Sequence, residues 1–451
     1  MAAIVRQTMG KGLSTDLIQD IELTTNEYYI GIGKSDIFNV SDTPIDPIDS
    51  PFEEREFRNN LQSIKKVEGC SFVAPRVNWS SGTIYAGWDD HVDPKNTTPW
   101  YVLNDAKEVY ICLEHGKNPD GTSKPSVIEP NYGLLNVPYA DSFTTSDDYV
   151  WKFLYSITPE RIYQFLSSNH IPVQPAESSL STGDSIEDLQ FNVKSNSQGG
   201  QIISAKIINS GTGYITEPTV EVIGNGSGAI ATAIINSSGQ IVDIKIQNYG
   251  SGYSYASFKI DGDGQDFEAR AIITGENGIG FNPIDDLKTN SVLLNIKPNG
   301  EVLQTDENGV EFGTFIVENS FRQMGVIKNP LTPEGNPFTS TSSKVLPSIN
   351  LVNNSTFETG KKITGNKTGA VAHVDESDGK IVRYHQNQST GFIPFELGEG
   401  VSQGAVSGVV ESLSSVNGIN RFSGEIMYIE NRHKIRRDAE QQEDIKIVLT
   451  V

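Results

Sequence analysis

The chain has 451 residues, of which 36% are hydrophobic, 42 are Gly and 21 are Pro, a composition typical of a loop-rich, β-dominated protein with several cores rather than a helical enzyme. Acidic residues number 57 against 35 Lys and Arg, so the formal charge is −22. Because that field repels phosphate backbones, we expect no nucleic-acid partner.

Membrane and secretion signals are also missing from the sequence. No apolar run approaches the ~20 residues that cross a bilayer, and the first residues lack a basic region followed by an apolar one. We therefore expect no membrane partner and synthesis in a cytoplasm-like compartment. Cys70 and Cys112 are too few for a disulfide framework or a zinc site of their own, so we expect them to be reduced.

The first elements follow a polar lead. Residues 28–32 predict a strand that stops at Gly33. Residues 51–68 predict a helix, because Pro51 suits its start, acidic residues fill its first turn, and Phe57, Leu61 and Ile64 share one helical face.

Aromatic and proline-broken sequence then predicts strands and tight loops over residues 71–93. Residues 109–113 predict a strand, and residues 147–157 predict a central strand of a sheet. Thr158 and Pro159 suit the N-cap and first position of a short helix. The polar composition of residues 177–200 predicts a linker.

Residues 201–274 contain an internal duplication. The run QIISAKIINSGTGY from Gln201 returns as QIVDIKIQNYGSGY from Gln240, a step of 39 residues. Alternating Ile and Val between Gly, Asn and Ser predict strands and turns. Two copies are fewer than a solenoid needs, so the repeat predicts a compact embedded β domain.

The C-terminal third returns to strands. VLLNI and GTFIVENSFRQMGVI predict strands, and a Ser/Thr/Pro-rich connection of roughly residues 332–348 follows. GKKITGNKTGAVAHV from Gly360 and GEGVSQGAVSGVV from Gly398 each predict a hairpin. Residues 426–430 and 445–451 predict the last two strands.

Two nucleotide-binding motifs are present only in part. Gly224, Gly226 and Ala229 satisfy GxGxxA, but the β-branched run that follows predicts a strand where the motif needs a helix. Gly33, Lys34 and Ser35 resemble the end of a phosphate-binding loop, whose first glycine is replaced by Tyr28. Turn glycines explain the first motif, and the second lacks the phosphate cradle.

Metal and nucleophile signals are equally weak. Two acidic clusters offer oxygens to a divalent cation, but neither has calcium-loop spacing, so solvated turns are the simpler interpretation. The histidines stand apart in ordinary contexts. We predict no catalytic, cofactor-binding or metal-ligating residue and no cofactor. The clusters are Asp89, Asp90, His91, Asp93 and Asp261, Asp263, Asp266, Glu268; the histidines are His91, His115, His170, His373, His385 and His433.

The segments outside the duplication carry a family resemblance. GIGKSD, VNWSSGTIYAGWDD, DDYVWKFLYSI, SFRQMGVIKNPL and SGEIMYIENR followed by EDIKIVLTV resemble, in this order, the baseplate wedge subunit of T-even-like contractile-tailed bacteriophages that forms a dimer within each wedge. FRQMGVIKNPL and SGEIMYIENR are the most specific. The middle departs from the family, because residues 201–274 and 360–410 look like extra β modules.

The resemblance implies a non-enzymatic structural protein. Its partners would be a second copy and other baseplate wedge proteins around the central hub, and its location the virion tail baseplate after assembly in the host cytoplasm. The predicted fold class is mainly β with a few short helices (α+β), multidomain, with a split framework and inserted β modules. The predicted ranges are an N-terminal framework (1–196), the duplicated insertion (197–275), a return to framework strands (276–350), a hairpin insertion (351–412) and C-terminal framework strands (413–451).

Permanent interfaces need aromatic and Arg anchors. Within the matching motifs the candidates are Phe321, Arg322, Tyr428, Asn431 and Arg432. The alternative to an interface role is a local role within the fold. Phe321 and Tyr428 would then be core residues, and Arg322 would pair with a buried carboxylate such as Glu430.

Two other functions compete with the wedge subunit. A receptor- or carbohydrate-binding tail protein would use the duplicated unit with its aromatic turns at Tyr214, Tyr249, Tyr253 and Tyr255. A tail-associated glycan hydrolase would need two carboxylates facing each other across a groove, and the sequence places no such pair.

Overall fold

A computed structural model describes residues 7–91, 98–131, 141–175, 185–298, 303–305, 311–416, 418–438 and 441–451. It is 43% strand and 11% helix, which confirms the mainly β fold class with a few helices. The chain divides into two compact units. Unit 1 comprises Met1–Ser14, Ser71–Val292 and Thr450–Val451, and unit 2 comprises Thr15–Cys70 and Leu293–Leu449. No helix among the described residues is long and apolar enough to cross a membrane.

The helices are α1 (Gln7–Glu22), α2 (Pro51–Asn60), α3 (Pro159–Phe165), α4 (Ser185–Ser195) and α5 (Pro283–Asp286). The strands before the duplication are β1 (Tyr28–Gly33), β2 (Leu61–Lys66), β3 (Gly69–Pro75), β4 (Tyr101–Leu103), β5 (Glu108–Glu114), β6 (Ser142–Thr144), β7 (Val150–Ser156) and β8 (His170–Val173). Within the duplication they are β9 (Ile202–Thr212), β10 (Thr219–Gly224), β11 (Ser227–Ile235), β12 (Ile241–Ser251), β13 (Ala256–Asp261) and β14 (Gln265–Ile273).

The strands after the duplication are β15 (Ser291–Ile296), β16 (Leu303–Thr305), β17 (Glu311–Gly313), β18 (Ser320–Lys328), β19 (Ser342–Lys344), β20 (Ser348–Leu351), β21 (Lys362–Gly365), β22 (Val371–Ser377), β23 (Ile381–His385), β24 (Gly400–Gln403), β25 (Val406–Ser414), β26 (Glu425–Arg436) and β27 (Ile445–Thr450).

Unit 1 contains a four-stranded sheet of order β4-β5-β7-β6. Its aromatic core includes Tyr110, Tyr149 and Trp151, all fully buried. The predictions of strands at β5 and β7 are confirmed, and β7 is an internal strand of the sheet. The prediction of α3 is also confirmed, because the Thr158 hydroxyl caps it by accepting from the Arg161 N–H.

The duplication, also in unit 1, folds with strands exchanged between its copies. One sheet has the order β10-β13-β14-β9, and β11 pairs with β12, so the first copy (β9 to β11) and the second (β12 to β14) complete each other. Tyr214 and Tyr253, equivalent in the repeat, are both buried. Their backbone N–H groups donate to the equivalent carbonyls of Gly239 and Gly200. The predicted embedded β domain is therefore one interleaved module.

Unit 2 is built on a five-stranded sheet of order β19-β2-β1-β18-β26. Gly31 of β1 lies opposite Gly325 of β18. A Cβ on Gly325 would lie 2.6 Å from the Phe57 ring, so the absence of a side chain there makes room for α2 on the sheet. N-terminal and C-terminal strands thus share one sheet and one core.

Unit 2 also contains a closed barrel of order β20-β23-β22-β21-β24-β25. The two predicted hairpins are confirmed as β21–β22 and β24–β25. Alternate residues of the barrel strands, among them Ala372, Val374 and Val382, form a fully buried apolar interior.

Two sequence predictions of local structure are wrong, and one helix was not predicted. The helix predicted over residues 51–68 ends at Asn60, and β2 follows directly because its backbone pairs with β1 and β19, a tertiary pairing that overrides helical spacing. The polar lead contains α1, a helix of 16 residues. The predicted linker contains α4, whose Val193 packs in the aromatic core of unit 1, while residues 176–184 lie outside the described residues.

Candidate functional site

The two segments most specific to the family resemblance are neighbouring strands of the unit 2 sheet. β18 pairs with β26 along nearly its whole length. β26 has 12 residues and is the last strand of the sheet order. A terminal strand presents backbone N–H and C=O groups that another chain can pair with, unless charge or a bulge prevents it. Met427, 44% exposed, adds an apolar side chain to this edge.

Two of the predicted interface residues point into the unit. Phe321 is 1% exposed. The Arg322 guanidinium is also buried, where Nε donates to Asp42 Oδ1 at 2.7 Å and Nη1 donates to the Ser35 carbonyl at 2.6 Å. The contacts of both residues are those of the local role, although the carboxylate beside Arg322 is that of Asp42 and not that of Glu430.

The other three candidates lie on β26. Burial and the Glu430 carboxylate raise the pKa of the half-buried Tyr428 to about 12. Asn431 Nδ2 donates to the Ile45 carbonyl at 2.7 Å. Arg432 Nε donates to Glu430 Oε1 at 2.8 Å, and its side chain is still 41% exposed. Tyr428 and Arg432 are therefore the candidates with surface to offer a partner, and their interface role stays a prediction.

A second set of polar residues lies on the outside of the barrel in unit 2. In β22 the side chains of His373 and Asp375 alternate with those that fill the barrel, and His385 of β23 lies directly opposite His373 in the strand register. The two imidazole rings stack with centroids 5.1 Å apart. His373, Asp375 and His385 are all less than 5% exposed.

Residues from the loop after β1 and from β2 cover these side chains. Asp36, itself buried, has Oδ2 at 3.3 Å from His373 Nε2 and Oδ1 at 3.6 Å from His385 Nε2. The Asp375 carboxylate is 2.7 Å from His385 Nδ1 and accepts from Gln62 Nε2 at 2.7 Å. We name Asp36, His373, Asp375 and His385 the barrel cluster.

The pKa values of the two histidines are shifted in opposite directions. Burial lowers the pKa of His373 to about 4. Burial also opposes a charge on His385, but Asp375 and Asp36 outweigh it and raise the pKa to about 9. Burial likewise opposes ionisation of Asp36, yet His385 and Lys34 hold its pKa well below its usual range. The cluster therefore stabilises a positive charge between two carboxylates.

The barrel cluster also consists of Asp and His, residue types that bind metal ions. One ligand atom each of Asp36, His373 and His385 lies within 4.8 Å of the others, and this is the one such group in the described part of the chain. The prediction that the histidines stand apart is wrong for His373 and His385. A signal existed in β22 and β23, where polar residues replace apolar ones on one strand face, but nothing in sequence linked them to Asp36.

Neither partial nucleotide motif is followed directly by a helix, because β11 follows the first and α2 begins only at Pro51. Gly224 ends β10 and β11 begins at Ser227, so no helix follows GxGxxA. A Cβ on Gly226 would lie 2.5 Å from the Tyr253 ring, which explains this glycine by packing. In the second motif, the Ser35 carbonyl accepts a hydrogen bond from Arg322 Nη1, and Lys34 Nζ pairs with Asp36 at 3.2 Å.

The acidic clusters have other partners. Arg270 of β14 pairs with Asp89 at 2.5 Å and also with Asp90, so both carboxylates have a cationic partner inside unit 1. Asp93 lies outside the described residues. In the second cluster, the Asp263 carboxylate accepts from the Ile215 N–H at 3.2 Å. Neither cluster is among the groups able to hold a metal in the described chain.

Unit 1 also contains a cavity of about 300 Å³ beside the duplicated module. Trp88, Trp100 and His115 line one part of it, and residues 204–206 of β9 line another. Its volume lies at the lower end of the range for small-molecule sites. Aromatic rings beside Lys206 and Lys288 give it the mixed character of a ligand pocket.

Comparison with known proteins gives no assignment. No protein-family model matches this chain, and no curated protein matches it at a significant level.

Proposed function

We propose that this chain is a structural subunit of the baseplate wedge of a contractile phage tail, acting as a homodimer that links neighbouring wedge proteins around the central hub. The supporting observation is the unit 2 sheet, in which three of the resembling segments come together. GIGKSD begins in β1, FRQMGVIK lies in β18, and GEIMYIENR continues into β26.

The dimer would form along β26. Twelve residues of terminal strand supply backbone groups for pairing with a second copy, and two-fold symmetry makes such an edge self-complementary. Tyr428 and Arg432 are of the types that carry most of the binding energy at protein interfaces. Edge-to-edge pairing would give the permanent contact that a wedge subunit needs.

The first test measures the mass of the full chain in solution by light scattering coupled to size exclusion. We expect twice the chain mass of 49.3 kDa. Met427→Lys places a charge on the exposed edge and should convert the dimer to a monomer, because an unpaired charge at a paired edge is strongly disfavoured. Arg432→Ala should weaken the dimer by about tenfold or more.

Val406→Lys is the matched control, since Val406 is an exposed apolar residue of the barrel in the same unit. It should leave the dimer intact. A monomeric wild-type chain would contradict the proposal. Mass spectrometry and a traced image of the baseplate of the phage that encodes this chain provide the second test. A chain absent from purified tails would contradict it as well.

A receptor- or carbohydrate-binding tail protein is the alternative, favoured by the cavity beside the duplicated module. The tyrosines give it less support, because Tyr214 and Tyr253 are core residues and Tyr249 Oη is 2.9 Å from Ser142 Oγ, whereas Tyr255 is 65% exposed. Binding of host-surface glycan that is lost in Trp88→Ala would favour this alternative. Turnover of host polysaccharide would favour a glycan hydrolase and contradict both.

A further inference from the structure

We propose that Asp36, His373 and His385 bind one divalent metal ion of the zinc class, which fastens the loop after β1 to the outer face of the barrel. The donors would be an Asp36 carboxylate oxygen and the Nε2 atoms of both histidines. Two imidazoles and one carboxylate form a donor set that zinc accepts readily.

The distances between donors fit a single ion. When zinc bonds are about 2.05 Å long, two ligands of a tetrahedral site are about 3.3 Å apart. Asp36 Oδ2 lies 3.3 Å from His373 Nε2, and the other oxygen of the same carboxylate, Oδ1, lies 3.6 Å from His385 Nε2. All three donors lie within 4.8 Å of one another, so the imidazoles need to approach by at most about 1.5 Å.

Asp375 supplies outer support for one of the two histidine ligands, His385. Its carboxylate lies 2.7 Å from His385 Nδ1, which directs the Nε2 lone pair toward Asp36. Gln62 holds the other Asp375 oxygen at 2.7 Å. A carboxylate–imidazole pair held in this way fixes the orientation of the ring before an ion binds.

The Nε2 atom of His385 also supports a metal ion at this place. His385 is completely buried, and its Nε2 has no hydrogen-bond partner among the described residues. A buried polar atom without a partner is unfavourable, and a metal bond at Nε2 would give it one. The competing occupant is a proton on Nε2, which would leave an ion pair with Asp36 in place of the metal bond.

Two neighbours set the expected affinity. Ser389 Oγ, 3.4 Å from His373 Nε2, is a candidate oxygen for the fourth position, which water otherwise takes. Lys34 Nζ is 3.2 Å from Asp36 Oδ1, so its positive charge repels the ion. Removing that charge should therefore tighten metal binding, a change that a purely structural lysine would not produce.

The test uses the full chain, stripped with a chelator and titrated with Zn²⁺ against a chromophoric competitor, with bound metal counted by mass spectrometry. We expect one ion per chain and a higher melting temperature with Zn²⁺. His373→Ala should lose binding by at least about 100-fold, and Asp375→Asn by about 10–100-fold. Lys34→Gln should bind several-fold more tightly. His433→Ala, at an exposed histidine of the same unit, is the matched control and should bind as the wild type does.

Two results would overturn the proposal: a wild-type chain that binds no stoichiometric Zn²⁺, or a His373→Ala chain that binds it equally well. Either would leave the proton on His385 as the occupant. Should His373→Ala fail to fold by circular dichroism, Co²⁺ loading of the wild-type chain decides. The visible bands of four-coordinate Co²⁺ without a thiolate charge-transfer band support the site, and their absence overturns it.

Discussion

Asp286 shows at the scale of one residue how burial makes stability depend on pH. It ends the short helix α5, and its carboxylate accepts from the Gly280 N–H at 2.8 Å. Complete burial raises its pKa to about 7, although the Gly280 N–H and the Lys152 ammonium act in the opposite direction. The folded state therefore holds the proton more tightly than the unfolded chain does.

A raised carboxyl pKa sets the sign of the pH effect. The stability that protonated Asp286 contributes is fully present below about pH 4 and is lost as the pH rises through about 7. Asp286→Asn keeps an acceptor for Gly280 and cannot ionise. We expect the variant to be more stable relative to the wild type at pH 8 than at pH 5, by about 2–3 kcal/mol. Urea unfolding at both pH values measures the difference.

Asp285→Asn is the control, because that side chain is 53% exposed and pairs with Lys11 at the surface of unit 1. Its effect should be below about 1 kcal/mol. Equal pH dependence of Asp286→Asn and the wild type would contradict the assignment.

Single residues were also where the sequence was least informative. Phe321 and Arg322 are prominent in a motif, yet their contacts are inside the unit, with Arg322 reaching Asp42 through the fold. The barrel cluster was missed because Asp36 joins His373 and His385 only after the chain has folded. Local patterns cannot predict a contact made by tertiary structure alone.

At the scale of elements, the duplicated module depends on two tyrosine rings packed over glycines. A Cβ on Gly264 would lie 2.5 Å from the Tyr214 ring, and one on Gly226 would lie 2.5 Å from the Tyr253 ring. Both tyrosines are buried in the core of the module. Each copy of the repeat therefore requires a glycine where its tyrosine ring packs.

Gly264→Ala should destabilise unit 1 by about 1–3 kcal/mol, because the methyl group overpacks a filled core. Thermal unfolding followed by circular dichroism measures the loss. Gly275→Ala is the matched control, since a Cβ there meets nothing within 4 Å. Equal melting temperatures for the two variants would contradict the packing argument.

Elements were predicted well where a pattern and its turns agreed. The period-two alternation of the repeat, the β21–β22 hairpin and the Thr158 cap all led to correct predictions. The prediction failed at β2, where Leu61 and Ile64 fit a helical face as well as a strand. Strand partners that lie far away in sequence decided its conformation.

On the scale of the whole molecule, the two inserted modules should differ in how far the framework depends on them. The ends of the duplicated module are adjacent, since the Gly200 N–H donates to the Gly275 carbonyl at 3.1 Å. Lys245 of the module pairs with the buried Glu114 of unit 1, which keeps Lys117 as a second partner. The barrel, by contrast, buries Asp36 and Gln62 of the framework in unit 2.

Deleting residues 201–274 and joining Gly200 to Gly275 should therefore leave a folded dimer. Deleting residues 348–414 should abolish folding of unit 2, because the deletion exposes a buried polar layer. Light scattering and circular dichroism compare the two chains. Loss of the dimer in the first deletion would show that the duplication, and not the framework, makes the contact.

The closed barrel is an insertion that adds no exposed sheet edge to unit 2. β20 and β25 pair at Ser348 and Ser414, so the chain enters and leaves the barrel at neighbouring points. A ring of six strands has no terminal strand, and so it adds mass to unit 2 without adding an edge on which further copies could stack. Even at high concentration, a chain with this insertion therefore has no additional strand edge through which copies could polymerise.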